Sequence, residues 1–299
     1  MATIAARDER GPMSGREPSP TVRQWRLAKE LRARREYLGI PAAKVAKDLG
    51  WGSTKTGYLE NRHAERPKPE DVARLCEYYR CTDEERDELV QLAIDSAVQG
   101  WWEPYKRSLP RDYATFIGLE AEAARSRVFE PLIVPGLLQT EEYARALIEE
   151  GRSGHGAREV GRRVAVRTER QKLLTASSDP LYLHAIVDEA AIRRVVGGPE
   201  VMRPQLGYLL ELAALPNVEL GVVPFNAGAH PGVAGSFVVL SFRDERDDPV
   251  GYIETIAGDL FVEKEQEVRE YEDAFDRLTA KALDSAATMS VIAAAAATI

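Results

Sequence analysis

The sequence predicts a mainly α head followed by a larger α+β body with an antiparallel or mixed sheet. Three observations lead there. Between residues 21 and 97, apolar positions recur at helical spacing in five short segments punctuated by glycine and proline. Beyond residue 180 the period shortens to two, and β-branched residues dominate four runs. The charge also divides: residues 21–80 carry 14 Lys/Arg against 8 Asp/Glu, whereas 81–299 carry 23 against 37, within a net charge of −8. A basic head on an acidic body suits one anion-binding unit and one with a different task.

The first predicted helix places Leu27, Leu31 and Leu38 on one side and stops at Gly39. Pro41 opens the second, whose stripe is Ala42, Val45, Ala46 and Leu49, and Gly50 closes it. A short third helix follows Trp51–Gly52, and then the loop RHAERPKP. Pro69 starts a fourth with Val72, Leu75, Cys76 and Tyr79 on one face, and Thr82 with Glu85 forms a capping box for a fifth. QGWWEPY marks the boundary near residue 100. In the body, residues 113–128 read as a helix and PLIVPGLLQ as a buried extended connector. Thr140 caps a helix to Glu150, GRSGHG is a loop, and 157–176 is a long basic helix. Strands are expected at 181–188, 218–225, 236–242 and 249–255, the last three antiparallel through short turns. Helices at 189–196 and 200–214 lie between the first two strands, and another runs from about Glu263 to Leu283. The resulting organisation is a disordered tail (1–20), a helix-turn-helix head (21–97), a sensing or partner-binding body (98–284) and a flexible tail (285–299).

Composition removes several classes. Two cysteines are too few for a disulfide scaffold and fit a reducing cytoplasm. The first twenty residues carry no apolar run of a signal peptide, and no stretch reaches the roughly 20 apolar residues of a spanning helix. No nucleophile motif, zinc-helix motif or phosphate loop is present, so no enzyme, catalytic residue, metal or cofactor is expected. Cys76 and Cys81 stand five apart without the paired ligands of a zinc site.

One stretch carries a specific chemistry. A helix-turn-helix unit needs a small residue inside its first helix, where the second crosses, and a turn that tolerates left-handed backbone four residues on. Ala46 and Gly50 meet these needs. Val45, Leu49 and Leu59 anchor the pair, which leaves Ser53, Thr54, Lys55 and Tyr58 for base edges and phosphates in a major groove. Lys44, Lys47 and Arg62 flank them as phosphate-neutralising cations.

The run LRARREYLGIPAAKVAKDLGWGSTKTGYLENR resembles the lambda-repressor-like, xenobiotic-response-element type of helix-turn-helix domain over roughly residues 26–80. That resemblance implies a structural ion pair between Arg35 and Glu60. It departs from the pattern at Pro41-Ala42, where a polar pair is usual, at Gly52 for a capping serine, at Thr56 for an aliphatic anchor, and at Tyr58 for an arginine. WWEPY, VPGLLQT with YA, VDEAAIRRVVGG and GYIET extend the likeness over nearly the whole chain. They resemble an actinobacterial group of antitoxin-like transcriptional regulators with a large C-terminal domain of unknown function. The group implies double-stranded DNA as ligand and a small partner protein encoded alongside.

For the body, Trp101, Trp102 and Tyr105 are candidates either for an aromatic pocket or for packing between domains. His184, Glu189, His230 and Glu254 are further candidates for a ligand or partner pocket, set against ordinary roles inside the fold. The basic helix (Arg158, Arg162, Arg163, Arg167, Arg170, Lys172) reads as a solvated face or a contact for an acidic partner. The expectation is a cytoplasmic DNA-binding regulator, a homodimer on a palindrome because one short helix reads few bases. Its body binds a small protein or ligand; the alternative is a small-molecule-sensing repressor or a degenerate enzyme domain fused to the head.

Overall fold

In the computed structural model, residues 19–62, 66–151 and 156–299 are described. Residues 1–18 of the expected N-terminal tail and most of the GRSGHG loop lie outside them, whereas Ser19 and Pro20, expected in that tail, cap and open the first helix. The head consists of α1 (Pro20–Tyr37), α2 (Ala42–Asp48), α3 (Lys55–Leu59), α4 (Pro69–Tyr78) and α5 (Asp83–Ser96). Its boundaries follow local chemistry. Gly39 and Gly50 adopt φ of +65° and +67°, which lets Ile40 N–H reach the Arg35 carbonyl and Trp51 N–H reach the Ala46 carbonyl. Thr82 and Glu85 complete the capping box at α5. Leu27, Leu31, Val45, Leu59, Val72 and Leu75 form one core, and Ala46 is fully buried where α2 meets α3.

The body is built on a six-stranded mixed sheet in the order β3-β2-β1-β4-β5-β6. The strands are β1 (Arg125–Glu130), β2 (Tyr182–Asp188), β3 (Val218–Val223), β4 (Phe237–Ser241), β5 (Val250–Ile253) and β6 (Leu260–Val262). β1 pairs parallel with β2, which pairs parallel with β3; β4, β5 and β6 continue antiparallel from the other edge of β1. Around the sheet lie α6 (Arg111–Glu122), α7 (Glu141–Gly151), α8 (Ala157–Gln171), α9 (Glu189–Arg193), α10 (Pro199–Leu212), α11 (Glu265–Thr279) and α12 (Ser285–Thr298). Alternation decides the faces. Leu183, Ala185 and Val187 join one core with α10 and α12, while Ile186 between them joins the other with α11's Phe275 and Leu278.

Three expectations are corrected. The helix expected over 113–128 stops at Glu122, and Arg125–Glu130 becomes a central strand. β3 is not antiparallel to β4: it lies at the far edge, parallel to β2, because α9 and α10 carry the chain across. Residues 285–299 are not a flexible tail. Asp284 caps α12 by accepting from Ala287 N–H at 2.8 Å, and Ile292 and Ala295 are buried. Thr288 Oγ1 also accepts from Val222 N–H at 3.3 Å, tying the helix to β3.

The head docks on the body through α1. Val22 belongs to the body's core while Leu27 and Leu31 belong to the head's. Ser19 Oγ donates to the Gly118 carbonyl at 2.6 Å, and a Cβ at Gly118 would run into the Thr21 side chain. Glu122 accepts from Ser19 N–H and from Arg23 Nη2, both at 2.8 Å.

Because Ile292 is fully buried, Ile292→Ala is expected to lower the stability of the body by about 2–5 kcal/mol. Urea unfolding followed by tryptophan fluorescence measures this, and an unchanged midpoint would mean that α12 is not docked.

Candidate functional site

The reading face of the head is assembled by the Gly50 turn. Ser53, Thr54, Gly57, Tyr58 and Asn61 are exposed, and Thr54, Gly57, Tyr58 and Asn61 fall at helical spacing on one stripe. Thr56 and Leu59 face inward. Lys44 and Lys47 are exposed on α2, and Lys44 Nζ pairs with Asp48 at 2.8 Å. Short polar side chains beside exposed cations can donate to phosphates and base edges.

Two expected contacts have other occupations. Lys55 Nζ lies 2.6 Å from Asp71 Oδ1 and 4.3 Å from the Trp51 ring, so α4 holds it against the head. Arg62 turns toward the body. Its guanidinium lies 5.0 Å from the Trp25 ring and 5.4 Å from that of Phe261, pairs with Glu263, and has its pKa lowered by burial. In this structure it is an interdomain contact.

Arg35 and Glu60 are paired. Arg35 Nε donates to both carboxylate oxygens of Glu60, at 2.9 and 2.8 Å, and Arg35 Nη1 donates to the Ile40 carbonyl at 3.0 Å. The Tyr79 hydroxyl donates to Glu60 Oε1 at 2.9 Å, and burial followed by the Glu60 charge raises its pKa far above the ordinary phenol value. The network ties α1, the end of α3 and α4 together.

A groove of about 710 Å³ runs between head and body beside this face. Gly57 and Asn61 line it from the head, Arg246 and Asp248 from the loop before β5. Arg26, buried in its wall, donates Nε to Asp247 at 2.7 Å and lies 2.8 Å from Asp244, while Lys29 reaches Asp248 at 2.6 Å. Body carboxylates therefore occupy cations of α1 next to the reading helix.

The expected residues of the body's pocket do not come together. Trp102 packs with Leu109, Ile117 and Val166, with Trp101 edge-on at 5.8 Å and Tyr105 against the same cluster, which is a packing seam. His184 faces α11, edge-on to Phe275 at 4.8 Å and 3.5 Å from Glu219; burial lowers its pKa. At the end of β2, His230 Nε2 lies 3.3 Å from Asp188, and its buried Nδ1 meets no partner among the described residues. Beside them Glu189 accepts from Phe225 N–H at 2.9 Å. The Cys76 thiol, buried in the head, is pushed up to about 12, the state of an inert core cysteine.

Glu254 lines a cleft, and there it meets Glu130, which carries no signal in the sequence, together with Arg167 and Arg170 of the basic helix. The cleft lies over β1, β4 and β5, under the turn Pro135–Leu137, and against α8. Glu130 and Arg167 line it with Glu254. Its back wall is a satisfied ion pair: Arg170 donates Nε and Nη2 to Glu120 at 2.6 and 2.8 Å and stacks on Tyr113 and Phe116. The VPGLLQ motif supplies the turn, which was the available signal. Arg167 was hidden in a basic helix whose remaining cations suggest a solvated face.

Two measurements follow. Glu60→Ala leaves a half-enclosed guanidinium and a buried phenol without their acceptor and is expected to cost about 3–5 kcal/mol in urea unfolding. An unchanged midpoint would remove the network from the head's stability. Glu130 is pushed up to about 8, first by burial and then by the Glu254 charge, with Arg167 opposing. Since its carboxyl holds a proton more tightly in the folded chain, its contribution to stability is full below about pH 4.5 and is lost as pH rises through 8. Glu130→Gln should remove that slope between pH 5 and 8.5 in urea titrations, and equal slopes would refute the buried carboxyl.

Comparison with known families assigns residues 26–89 to a helix-turn-helix domain. Neither the curated proteins nor the solved structures yield a match. No helix among the described residues is long and apolar enough to cross a membrane. Residues 113–294, more than half of the chain, match the domain of unknown function DUF5753, and the chain belongs to that family.

Proposed function

We propose that the chain is a sequence-specific regulator of transcription that reads double-stranded DNA with the N-terminal half of α3. It works as a cytoplasmic homodimer on a pseudo-palindromic site, without enzymatic activity. The observation that carries this reading is the exposed stripe behind the left-handed Gly50 turn, with the Lys44 and Lys47 side chains beside it. One five-residue helix reads few bases, so two heads about one helical turn apart supply the specificity.

DNA occupancy is tuned through the body. Asp244, Asp247 and Asp248 engage Arg26 and Lys29, and Glu263 engages Arg62, so whatever shifts the body redistributes charge next to the reading face. A small partner protein, as in antitoxin-like regulators, is the proposed agent, and the acidic body gives it a surface of fixed sign. The polar cleft of the body supports a second reading, in which a small molecule takes that role.

Footprinting on fragments around the chain's own gene tests the DNA reading. We expect a protected palindrome and an affinity that falls steeply with salt. Lys47→Ala should weaken binding evenly across sequences and reduce the salt slope by about 1, whereas Thr54→Ala should weaken the specific site most. Arg62→Ala should leave the slope unchanged and loosen the head on the body. Absence of any footprint for wild type, alone or with the neighbouring small protein added, would overturn the reading.

A further inference from the structure

The cleft over β1, β4 and β5 contains charges placed as though for a missing group. Arg167 Nη1 donates to Gln139 Oε1 at 2.9 Å, and Gln139 is itself fixed by donating Nε2 to the Val134 carbonyl at 2.6 Å. The guanidinium is thus aimed, yet its Nε–H is buried with no partner among the described residues. Across the cleft, Glu130 accepts no hydrogen bond among the described residues. Glu130 and Arg167 act on each other electrostatically, but neither Glu130 nor Glu254 comes within ion-pair reach of Arg167. A buried donor left unmatched costs free energy that a fold normally avoids, so the gap between it and the half-buried Glu130 carboxyl has the character of a binding position.

Charge and size narrow the occupant. Arg170 is neutralised by Glu120, and Glu130 keeps its proton at neutral pH until a cation approaches, which leaves Glu254 against Arg167, one charge of each sign and a balance that suits a zwitterion. The unmatched Nε–H of Arg167, and that of Arg163 beside the adjoining space, call in addition for an acceptor. Between these poles, Phe116 stacked on Tyr252 at 4.1 Å, with Ile133 and Leu137, offers an apolar wall suited to a few methylenes. The inner space is about 70 Å³, and an adjoining space of about 110 Å³ shares Tyr113, Arg167 and Glu254 with it. Drug-sized ligands occupy roughly 300–1,000 Å³, so the cleft selects something much smaller. Gly136 keeps the entrance open: a Cβ there would stand 3.6 Å from Arg170 Nη1 and 3.9 Å from Arg167 Nε, ordinary contact that longer side chains would extend into the space.

We propose that this cleft binds a small free amino acid, its protonated amine held by Glu130 and Glu254 and its carboxylate by Arg167. The site does not require the head to read DNA. Its function would be to convert the concentration of an amino acid into occupancy of the body, beneath the turn contributed by VPGLLQ.

The test is calorimetric titration of the full chain, without DNA, with glycine, β-alanine, 4-aminobutyrate and 5-aminopentanoate. n-Butylamine and butyrate serve as probes bearing one pole each. We expect at least one amino acid to bind with a Kd below about 1 mM, and either single-pole probe to bind at least about ten-fold more weakly. Glu130→Gln, isosteric and unable to become the anion that pairs with the amine, should weaken binding about ten-fold or more while keeping the wild-type melting temperature or raising it. Gly136→Leu should abolish binding by filling the entrance. Failure of all four amino acids to bind up to about 10 mM, or wild-type affinity in Glu130→Gln, would overturn the proposal. Binding without a DNA footprint would leave this site standing and remove the DNA reading; a footprint without binding would do the reverse.

Discussion

The structure depends on the burial of Arg26. Its guanidinium sits on α1 between the two cores, and only the carboxylates of Asp247 and Asp244 make that position tolerable. Around it the same helix contributes Val22 to the body, Leu27 and Leu31 to the head, and Trp25 to an edge-on contact with Phe261 at 5.5 Å. One helix therefore closes two hydrophobic interiors. A sequence that charged the wrong side of α1, or lost either aspartate, would leave a cation stranded in the seam.

This arrangement explains why the reading face and the acidic loop are neighbours. The groove between them is lined by α3 on one side and by residues 246–249 on the other. Cations that a free head would present to phosphates are matched by carboxylates of the same chain. The net negative charge of the protein and the basic character of its head are thus reconciled in one interface, and the head's local charge alone overstates what it offers to DNA.

The head was legible because its signals are local. Gly39, Gly50, Pro69 and the Thr82–Glu85 box each mark a helix end through chemistry confined to a few residues, and the Arg35–Glu60 pair follows from the motif. The body was legible only where strands are β-branched and long. β1 was hidden because Arg125, Ser126 and Arg127 carry no strand signal, and no glycine or proline separates them from α6. Sheet order was hidden because it is decided by what packs on α10, far away in sequence. The cleft was least legible: Glu130 ends a strand that was not foreseen, and Arg167 and Arg170 turn inward from a helix that is also rich in exposed cations. Of the expected pocket residues, Glu254 reaches it, since His184 faces α11, His230 sits by the end of β2 and the tryptophans pack against α6 and α8.

Gly118 has a consequence for how such proteins diversify. Its missing side chain lets the start of α1 lie against α6, so Ser19, Thr21 and Arg23 belong functionally to the body although they stand at the beginning of the head's first helix. A recombination joint at the apparent border near residue 98 would not exchange a self-contained cassette. It would separate a lock from its key, and a grafted reading module would be accepted only if it brought along, or had independently acquired, the same first two turns of helix.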